Sequence, residues 1–278
     1  MKVTKADALG TCFGVQEAIE LVLGADDNIR SDQTILGELV HNPQTVALLE
    51  KAGVRIAKDL DDNITTSRIV ISAHGAADYV KQKALKRGFT VIDASCPLVM
   101  RVHRTIKDFV KKGYFPVVIG QANHVEVRGI VGDLKAYAVI STAEETELLK
   151  QYPRIGIVSQ TTQPIEHVEH LVSLIKMQNH TDVLFVDTVC KPTKERQTAV
   201  HKLAAQVDAM IVIGGHNSSN TKKLKVVCEK KGIKAYHVAC ADEVNPAWFK
   251  GVNHVGITAG TSTPADVIED VYQYLLTL

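Results

Sequence analysis

Three cysteines, Cys12, Cys96 and Cys190, divide this 278-residue chain into thirds, and each stands where a helix-like pattern begins. The first two are 84 positions apart, the last two are 94 apart, and 88 residues follow Cys190. After each cysteine, apolar residues recur at the spacing of one helix face. The last two also share a preceding short strand that ends in Asp-x-x-Cys, from Asp93 and from Asp187. The chain therefore predicts a threefold internal repeat of roughly 90 residues.

Each third contains further short apolar runs, and these runs end in small polar phrases rather than in apolar turns. They alternate with helical segments, which predicts an α/β protein with parallel sheets. Because such sheets bind ligands at the carboxyl ends of their strands, we expect the polar phrases to converge on one place. The predicted lobes are residues 1–96, 97–189 and 190–278. The runs lie at residues 34–36, 68–71, 116–119, 154–158, 209–213 and 254–257.

Charge and hydropathy exclude several classes of protein. The chain has 32 basic and 31 acidic residues and a net charge of +1, so no basic excess points to nucleic acid or to an anionic membrane. Its apolar runs are far shorter than the roughly 18 residues of a membrane span, and the N-terminus lacks the pattern of a signal peptide. We therefore expect a cytoplasmic protein whose five cysteines are ligands, catalysts or buried fillers rather than a disulfide framework.

Thiols at helix starts suit an anionic metal cluster, because backbone N–H groups and the helix dipole favour negative charge there. Three thiolates are one fewer than the four that usually hold a 4Fe-4S cluster, so one iron would stay open as a Lewis acid. Three separate inert cysteines remain an alternative, and so does a zinc site of three Cys and one His. Zinc would not explain the surplus of polar strand ends. Cys228 and Cys240 lack the helix-start context and are interpreted as fillers.

Three histidines, His41, His74 and His124, each follow a strand-like run in a different phrase. At such positions they can donate hydrogen bonds to a phosphate or orient an acid. Glu126 lies two residues after His124, which makes it the best candidate for a general acid, the alternative being a surface glutamate. Other histidines lie in helical or surface contexts: His103, His167, His170, His180 and His201.

A compact group of hydrogen-bond donors, Ser218-Ser219-Asn220, follows the apolar run 209–213. Together with Thr161 and Ser262, these side chains can surround a phosphate without a lysine. Such runs are equally common as plain helix caps, so this alternative stays open.

The phrases at residues 36–42, 72–75, 93–99, 159–162, 217–220 and 258–264 together resemble those of the 4-hydroxy-3-methylbut-2-enyl diphosphate reductase (LytB/IspH) family over nearly the whole chain. The resemblance implies a pseudo-threefold trefoil of three similar parallel-sheet lobes around a 4Fe-4S cluster held by Cys12, Cys96 and Cys190. It implies a two-electron reductive dehydroxylation that yields isopentenyl and dimethylallyl diphosphates for isoprenoid synthesis, with an external electron donor such as ferredoxin or flavodoxin.

The family's pattern also implies a role for each polar phrase. Thr161 and Glu126 would lie beside the allylic hydroxyl of the substrate, with Glu126 as the proton source. The substrate's diphosphate would be held by seven residues: His41, His74, His124, Ser218, Ser219, Asn220 and Ser262.

The sequence departs from the family's usual pattern beside the presumed ligands. Thr11 replaces an aromatic residue, Glu17 an arginine and Val125 a proline, and Cys190-Lys191-Pro192-Thr193 replaces Cys-x-Ala-Thr. An altered rate, electron donor or substrate therefore stays open. Two other functions also stay open: a different cluster-dependent dehydratase or reductase similar to quinolinate synthase, and a redox-sensing cluster protein without turnover. The run of hydrogen-bond donors Ser218-Ser219-Asn220, which we call the donor run, argues against the dehydratase or reductase similar to quinolinate synthase. Glu126 beside an anion pocket argues against the redox sensor.

Overall fold

The computed structural model describes residues 1–178 and 180–278, which form three four-stranded sheets connected by helices. The strands are β1 (Lys2–Lys5), β2 (Gln33–Leu36), β3 (Arg55–Ala57), β4 (Arg68–Ile71), β5 (Thr90–Asp93), β6 (Phe115–Ile119), β7 (Ala138–Ile140), β8 (Arg154–Ser159), β9 (Asp182–Phe185), β10 (Ala209–Ile213), β11 (Lys234–Val238) and β12 (His254–Ala259). The α-helices are α1 (Phe13–Leu23), α2 (Asp27–Arg30), α3 (Pro43–Lys51), α4 (Asp78–Lys86), α5 (Pro97–Lys111), α6 (Val125–Val131), α7 (Ile165–Lys176), α8 (Lys191–Ala204), α9 (Ser219–Lys230) and α10 (Ala265–Leu276). Short 3₁₀ helices lie at Glu144–Leu149, Ala241–Glu243 and Pro246–Phe249.

The strand order defines a first sheet, β3-β2-β4-β5, a second sheet, β7-β6-β8-β9, and a third sheet, β1-β12-β10-β11. Every paired strand in them is parallel. The prediction of an α/β protein with three parallel-sheet lobes is therefore confirmed. The N-terminal strand β1 pairs with β12, with Lys2 opposite His254, so the third sheet combines both ends of the chain. The lobe bounds at residues 1–96, 97–189 and 190–278 stay a prediction.

The chain divides into two compact units, which we name by their sheets. The third-sheet unit comprises Met1–Gln16, Val40–Ala47 and Cys190–Leu278, and the two-sheet unit comprises Glu17–Leu39 and Leu48–Val189. No helix in the described residues combines the length and the apolar character that crossing a membrane requires.

Alternation along the strands builds a core on both faces of the third sheet. Ile211 and Ile213 of β10 pack with Val271 of α10 on one face. Met210 and Val212 pack on the other face with apolar residues of α8 and α9, such as Val200 and Leu224. Successive side chains of a strand point to opposite faces, so a strand of five apolar residues serves both cores.

The second sheet of the two-sheet unit follows the same rule. Val117 and Ile119 of β6 pack toward Leu171 of α7, whereas Val118 packs toward Ile106 of α5. On one face of the first sheet, Ile69 and Ile71 of β4 pack with Leu60 and Ala84.

A charged cluster connects three helices of the two-sheet unit, α4, α5 and α6. Lys107 of α5 contacts Asp78, the first residue of α4, and Asp133, which follows α6 (2.6 and 3.2 Å). Asp133 also accepts hydrogen bonds from the backbone N–H groups of Asp78 and Tyr79. Burial alone would raise the pKa of Asp133, but these hydrogen bonds and the Lys107 charge outweigh burial and lower it. These contacts hold α4, α5 and α6 together. His74 lies in the segment before α4, and His124 directly precedes α6.

The three cysteines that divide the sequence all lie at helix starts, as predicted. Cys96 and Cys190 are the N-cap residues of α5 and α8, and each helix has a proline in its first turn. Cys12 directly precedes α1, where its carbonyl accepts a hydrogen bond from the N–H of Gln16 (3.0 Å). Backbone N–H groups in the first turn of a helix have no partner inside the helix, so a helix start favours a negatively charged group.

Candidate functional site

Two of the three cysteines, Cys12 and Cys190, belong to the third-sheet unit, and both are half-buried. The N–H of Cys12 donates to the carbonyl of Thr261 (3.0 Å), which attaches it to the loop after β12. The sulphur of Cys190 lies 3.1 Å from the hydroxyl oxygen of Thr193, in the first turn of α8. Cys12 therefore lies beside the carboxyl end of β12 in the third sheet, and parallel sheets bind ligands at such ends.

The side chain of Arg196 lies between the two cysteine segments and is only 6% exposed. Its guanidinium donates to the carbonyl of Gly10, two residues before Cys12, and to the carbonyl of Pro192, two residues after Cys190. Sequence reasoning missed Arg196, because a stretch of Lys, Thr, Glu and Arg resembles a solvated helix face. No local signal reveals a partner 186 positions away.

The donor run lies at the start of α9 and is buried. Ser218 is the N-cap residue, and its hydroxyl accepts from the N–H of Thr221 (3.3 Å), so the helix-cap interpretation is correct for this residue. Asn220 is only 4% exposed, yet its Nδ2 has no hydrogen-bond partner in the described part of the chain. A buried donor without a partner costs about 1–3 kcal/mol, so this side chain suits a ligand that supplies an acceptor.

The phrase that contains His41 lies against the donor run. The hydroxyl of Ser262 donates to the carbonyl of His41 (3.2 Å), and a Cβ added to Gly215 would lie 2.8 Å from the same carbonyl. Beside His41, the Nδ2 of buried Asn42 has no partner among the described residues, while its Oδ1 accepts from Thr45. Sequence reasoning did not single out Asn42, although it belongs to the His41 phrase.

Helix-start N–H groups, buried hydroxyls and two unsatisfied amides thus surround one end of the third sheet. Such a set favours an anion, since it offers donors and the positive end of a helix dipole.

In the two-sheet unit, Glu126 and Thr161 form a buried pair. Glu126 is 2% exposed in the first turn of α6, and Thr161 follows β8. The N–H of Thr161 donates to Oε1 of Glu126 (2.7 Å), and its hydroxyl donates to Oε2 (2.9 Å). Both carboxylate oxygens are therefore held in place, and the alternative of a surface glutamate is wrong for Glu126.

His124 and His74 lie close to this pair. Nδ1 of His124 accepts the N–H of Glu126 (3.1 Å), so the neutral ring carries its proton on Nε2 and presents a donor there. The His74 and His124 rings meet edge to face with centroids 5.7 Å apart. Half-buried Cys96 is attached to the same region, because its N–H donates to the carbonyl of Ala73 (3.0 Å).

Each unit therefore assembles part of the predicted set. The third-sheet unit contains Cys12, Cys190, His41, Ser218, Ser219, Asn220 and Ser262, and the two-sheet unit contains Cys96, His74, His124, Glu126 and Thr161. The role of each residue stays a prediction.

The three cysteines fit an anionic cluster by their chemistry. They are half-buried thiols at helix starts, and two of them lie beside a buried cation. In the described residues, no three His, Cys, Asp or Glu side chains converge on a single-ion site. A cubane cluster does not need such convergence, because each iron takes its own thiolate. Cys228 is a buried core residue, and burial raises the pKa of its thiol to about 12, which confirms it as a filler.

The residues that depart from the family's pattern are accommodated locally. The hydroxyl of Thr11 donates to the carbonyl of Thr263 (2.9 Å), and Pro192 is buried in the first turn of α8. Val125 begins α6, and Glu17 is exposed on α1. None of these four substitutions removes a residue of the predicted set.

Comparison with known proteins gives matches along the whole chain. The family model for the LytB protein matches residues 3–276. A 4-hydroxy-3-methylbut-2-enyl diphosphate reductase of Pelobacter propionicus is 39% identical over 273 residues, which cover 98% of this chain and 96% of that protein. The reductase of Aquifex aeolicus is 38% identical over 273 residues, covering 96% and 93%.

Two solved structures of reductases also match this chain over its full length. The E-1-hydroxy-2-methyl-but-2-enyl-4-diphosphate reductase of Plasmodium falciparum has a TM-score of 0.92 at 28% identity, covering 100% of this chain and 88% of that one. A second structure, described as (E)-4-hydroxy-3-methyl-but-2-enyl diphosphate reductase, the terminal enzyme of the non-mevalonate pathway, has a TM-score of 0.70 at 36% identity and covers both chains fully.

Proposed function

The chain belongs to the LytB family, as its phrases predicted, and we propose that it reduces 4-hydroxy-3-methylbut-2-enyl diphosphate to isopentenyl and dimethylallyl diphosphates. In this reaction the substrate accepts two electrons and two protons and loses its hydroxyl as water. The product is an isoprenoid precursor, and the proposed location is the cytoplasm.

Cys12, Cys96 and Cys190 are the residues that would hold a 4Fe-4S cluster. When bound, such a cluster supplies the electrons one at a time and offers an open iron as a Lewis acid for the substrate's hydroxyl. Their placement at three helix starts supports this assignment, because a thiolate is stabilised there.

The diphosphate would be bound mainly by neutral donors. In the third-sheet unit these are the hydroxyls of Ser218, Ser219 and Ser262 and the Nδ2 of Asn220, beside His41. In the two-sheet unit they are the rings of His74 and His124. The unsatisfied Nδ2 of Asn220 supports this role, because a phosphate oxygen supplies the acceptor that this buried donor lacks. Binding energy from the diphosphate then fixes the distant hydroxyl, a proximity effect that can contribute several kcal/mol.

Glu126 and Thr161 provide a route for the proton. When Glu126 is protonated on Oε2, it can donate to the hydroxyl oxygen of Thr161, which lies 2.9 Å away. The hydroxyl proton of Thr161 is then available to the departing oxygen of the substrate, and Glu126 ends as a carboxylate. The N–H of Thr161 on Oε1 holds the carboxyl group in the orientation that this transfer needs.

The observation that carries the proposal is this buried Glu126–Thr161 pair in a chain that matches the LytB family from residue 3 to residue 276. A redox sensor has no use for a proton donor held in this way.

The test is anaerobic reconstitution with iron and sulphide, followed by incubation with 4-hydroxy-3-methylbut-2-enyl diphosphate and dithionite-reduced methyl viologen. We expect both isomeric diphosphates by mass spectrometry. A protein that carries the cluster and leaves the substrate unchanged would contradict the proposal and favour a redox sensor. Replacing the viologen with reduced ferredoxin or flavodoxin tests the proposed electron donors.

A further inference from the structure

Arg196 is a buried cation of α8 that makes no ion pair with a carboxylate in the part of the chain that the structure describes. Its guanidinium donates hydrogen bonds to backbone carbonyls: to Gly10 at 2.5 and 3.2 Å and to Pro192 at 2.9 Å. The adjacent Glu195 is exposed on the same helix and faces Lys191 (3.6 Å). Burying a charge without a counter-charge is costly in free energy. We therefore expect Arg196 to contribute something that offsets this cost.

The hydrogen bonds indicate that Arg196 positions two segments of the backbone. A guanidinium is a planar fork of donors, and this one bonds two carbonyls that belong to separate segments of the chain. One segment leads into Cys12, and the other is the first turn of the helix that Cys190 caps. Gly10 itself has a φ of 76°, in the left-handed region that glycine adopts without strain. Arg196 therefore joins the turn before Cys12 to the turn after Cys190.

The surrounding charges indicate a second role for Arg196, which is electrostatic. Burial lowers the pKa of Arg196, and the strongest opposing effects come from Cys12 and then Cys190. Because the guanidinium bonds the backbone two residues before Cys12 and two residues after Cys190, its positive charge is fixed beside the residues that would hold the cluster. A fixed positive charge beside a cluster stabilises the reduced form, which is more negative than the oxidised form, and so raises the reduction potential.

We propose that Arg196 is the positioning residue and the fixed counter-charge of the cluster site: it holds the Cys12 and Cys190 segments together and raises the reduction potential of the cluster that they bind. This inference rests on the proposed function, because it takes Cys12 and Cys190 as ligands of one cluster.

The charge is tested by measuring the midpoint potential of the reconstituted cluster in R196Q, R196M and R196K. Exposed Arg104 on α5 offers the control R104Q. We expect a shift to more negative potential in R196Q and R196M, no shift in R104Q, and a potential near the parent value in R196K, which keeps the charge. R196M serves if R196Q does not fold, because an apolar side chain tolerates burial. A parent-like potential in R196Q or R196M would overturn the electrostatic half of the proposal, which is that the charge of Arg196 raises the reduction potential of the cluster.

The positioning is tested without a cluster, by amide hydrogen exchange in the apoprotein. The N–H of Cys12 is bonded to Thr261, and it should exchange at least about tenfold faster in both R196K and R196Q, because neither side chain can bond both carbonyls. R104Q should leave that rate unchanged. Parent-like exchange in R196K and R196Q would overturn the positional half of the proposal, which is that Arg196 holds the Cys12 and Cys190 segments together.

The two proposals can fail separately. If the parent protein takes up no cluster, the proposed function and the electrostatic half fail, while the exchange rates still decide the positional half. If the parent converts the substrate and the neutral Arg196 variants keep its potential, the proposed function stands and the electrostatic half is wrong.

Discussion

The buried polar groups of the third-sheet unit differ in kind from those of the two-sheet unit. The third-sheet unit buries a cation, Arg196, between the Cys12 and Cys190 segments, and it buries the unsatisfied amide of Asn220 at the start of α9. The two-sheet unit instead buries a carboxylate, Glu126, with both oxygens satisfied by Thr161. One unit is thus prepared to receive negative charge, and the other holds a buried acidic side chain in a fixed orientation.

This difference suggests a division of labour within the proposed reaction. Substitutions in the third-sheet unit should chiefly change what the protein binds, and substitutions around Glu126 should chiefly change the rate of the chemical step. The proposed ligand Cys96 is the exception, because it belongs to the unit that holds the acid. Four predictions test the comparison, from the largest expected effect to the smallest.

Serine in place of Cys12, Cys96 or Cys190 should abolish cluster binding and turnover in each case. A serine hydroxyl at neutral pH is a far poorer ligand for iron than a thiolate. Iron and sulphide analysis with the visible spectrum of anaerobically reconstituted protein checks this, with C240S as the control that should keep its cluster. If C96S retained a full cluster, Cys96 would not be a ligand, and the proposed cysteine ligands would be confined to the third-sheet unit.

Glutamine in place of Glu126 should lower turnover by about 100- to 10,000-fold, the usual contribution of a general acid. The amide keeps the size of the side chain and can still meet the N–H of Thr161, so the cluster and the substrate affinity should be retained. Steady-state kinetics with a binding measurement separate kcat from affinity. E169Q, at an exposed position of α7, is the control and should match the parent. Parent-like turnover in E126Q would mean that the proton comes from another group.

Alanine in place of Asn220 should weaken binding of the substrate and of pyrophosphate by about 10- to 100-fold, the value of a hydrogen bond to a charged group. The cluster spectrum should not change, because the side chain is not a proposed ligand. Calorimetry with pyrophosphate gives the affinity directly, and N28A at an exposed position of α2 is the control. Unchanged affinity in N220A would leave residues 218–220 as a helix cap alone.

Local patterns predicted much of the fold. The run 68–71 is the strand Arg68–Ile71, the run 209–213 is Ala209–Ile213, and all three cysteines lie at helix starts. These signals are local, because strand alternation and helix capping depend on neighbouring residues. The strand Lys2–Lys5 was not predicted, since four residues with little apolar character carry no sign that they will pair with β12 at the other end of the chain.

The site was predicted less completely, for the same physical reason. Glu126 was found because it stands in a polar phrase at a strand end. Arg196 and Asn42 were not, because burial and long-range partners decide what they do. His103 was placed on a helix or on the surface; it is helical but only 2% exposed, and a Cβ added to Gly75 would lie 3.3 Å from its Nε2.

His103 also extends the comparison, because the two-sheet unit buries a neutral base where the third-sheet unit buries a cation. Neither of its ring nitrogens has a hydrogen-bond partner in the described residues. Burial, reinforced by the charges of Lys107 and Lys81 and opposed by Asp78 and Asp133, lowers the pKa of His103 from 6.5 to about 4. The folded protein therefore keeps this ring neutral at pH values where the unfolded chain has already taken up a proton.

The resulting stability is present above pH 6.5 and is lost as the pH falls from 6.5 toward 4. Between pH 7 and pH 4.5 the loss from this one residue should be about 2 kcal/mol in the free energy of unfolding. Asparagine at position 103 does not titrate, so urea unfolding of anaerobic apoprotein at the two pH values should show a smaller decrease in H103N than in the parent. H170N, which replaces an exposed histidine of α7, should decrease as the parent does. An equal decrease in the parent and H103N would mean that His103 gains a proton in the folded state without penalty, and the contrast between a neutral base in one unit and a buried cation in the other would be lost.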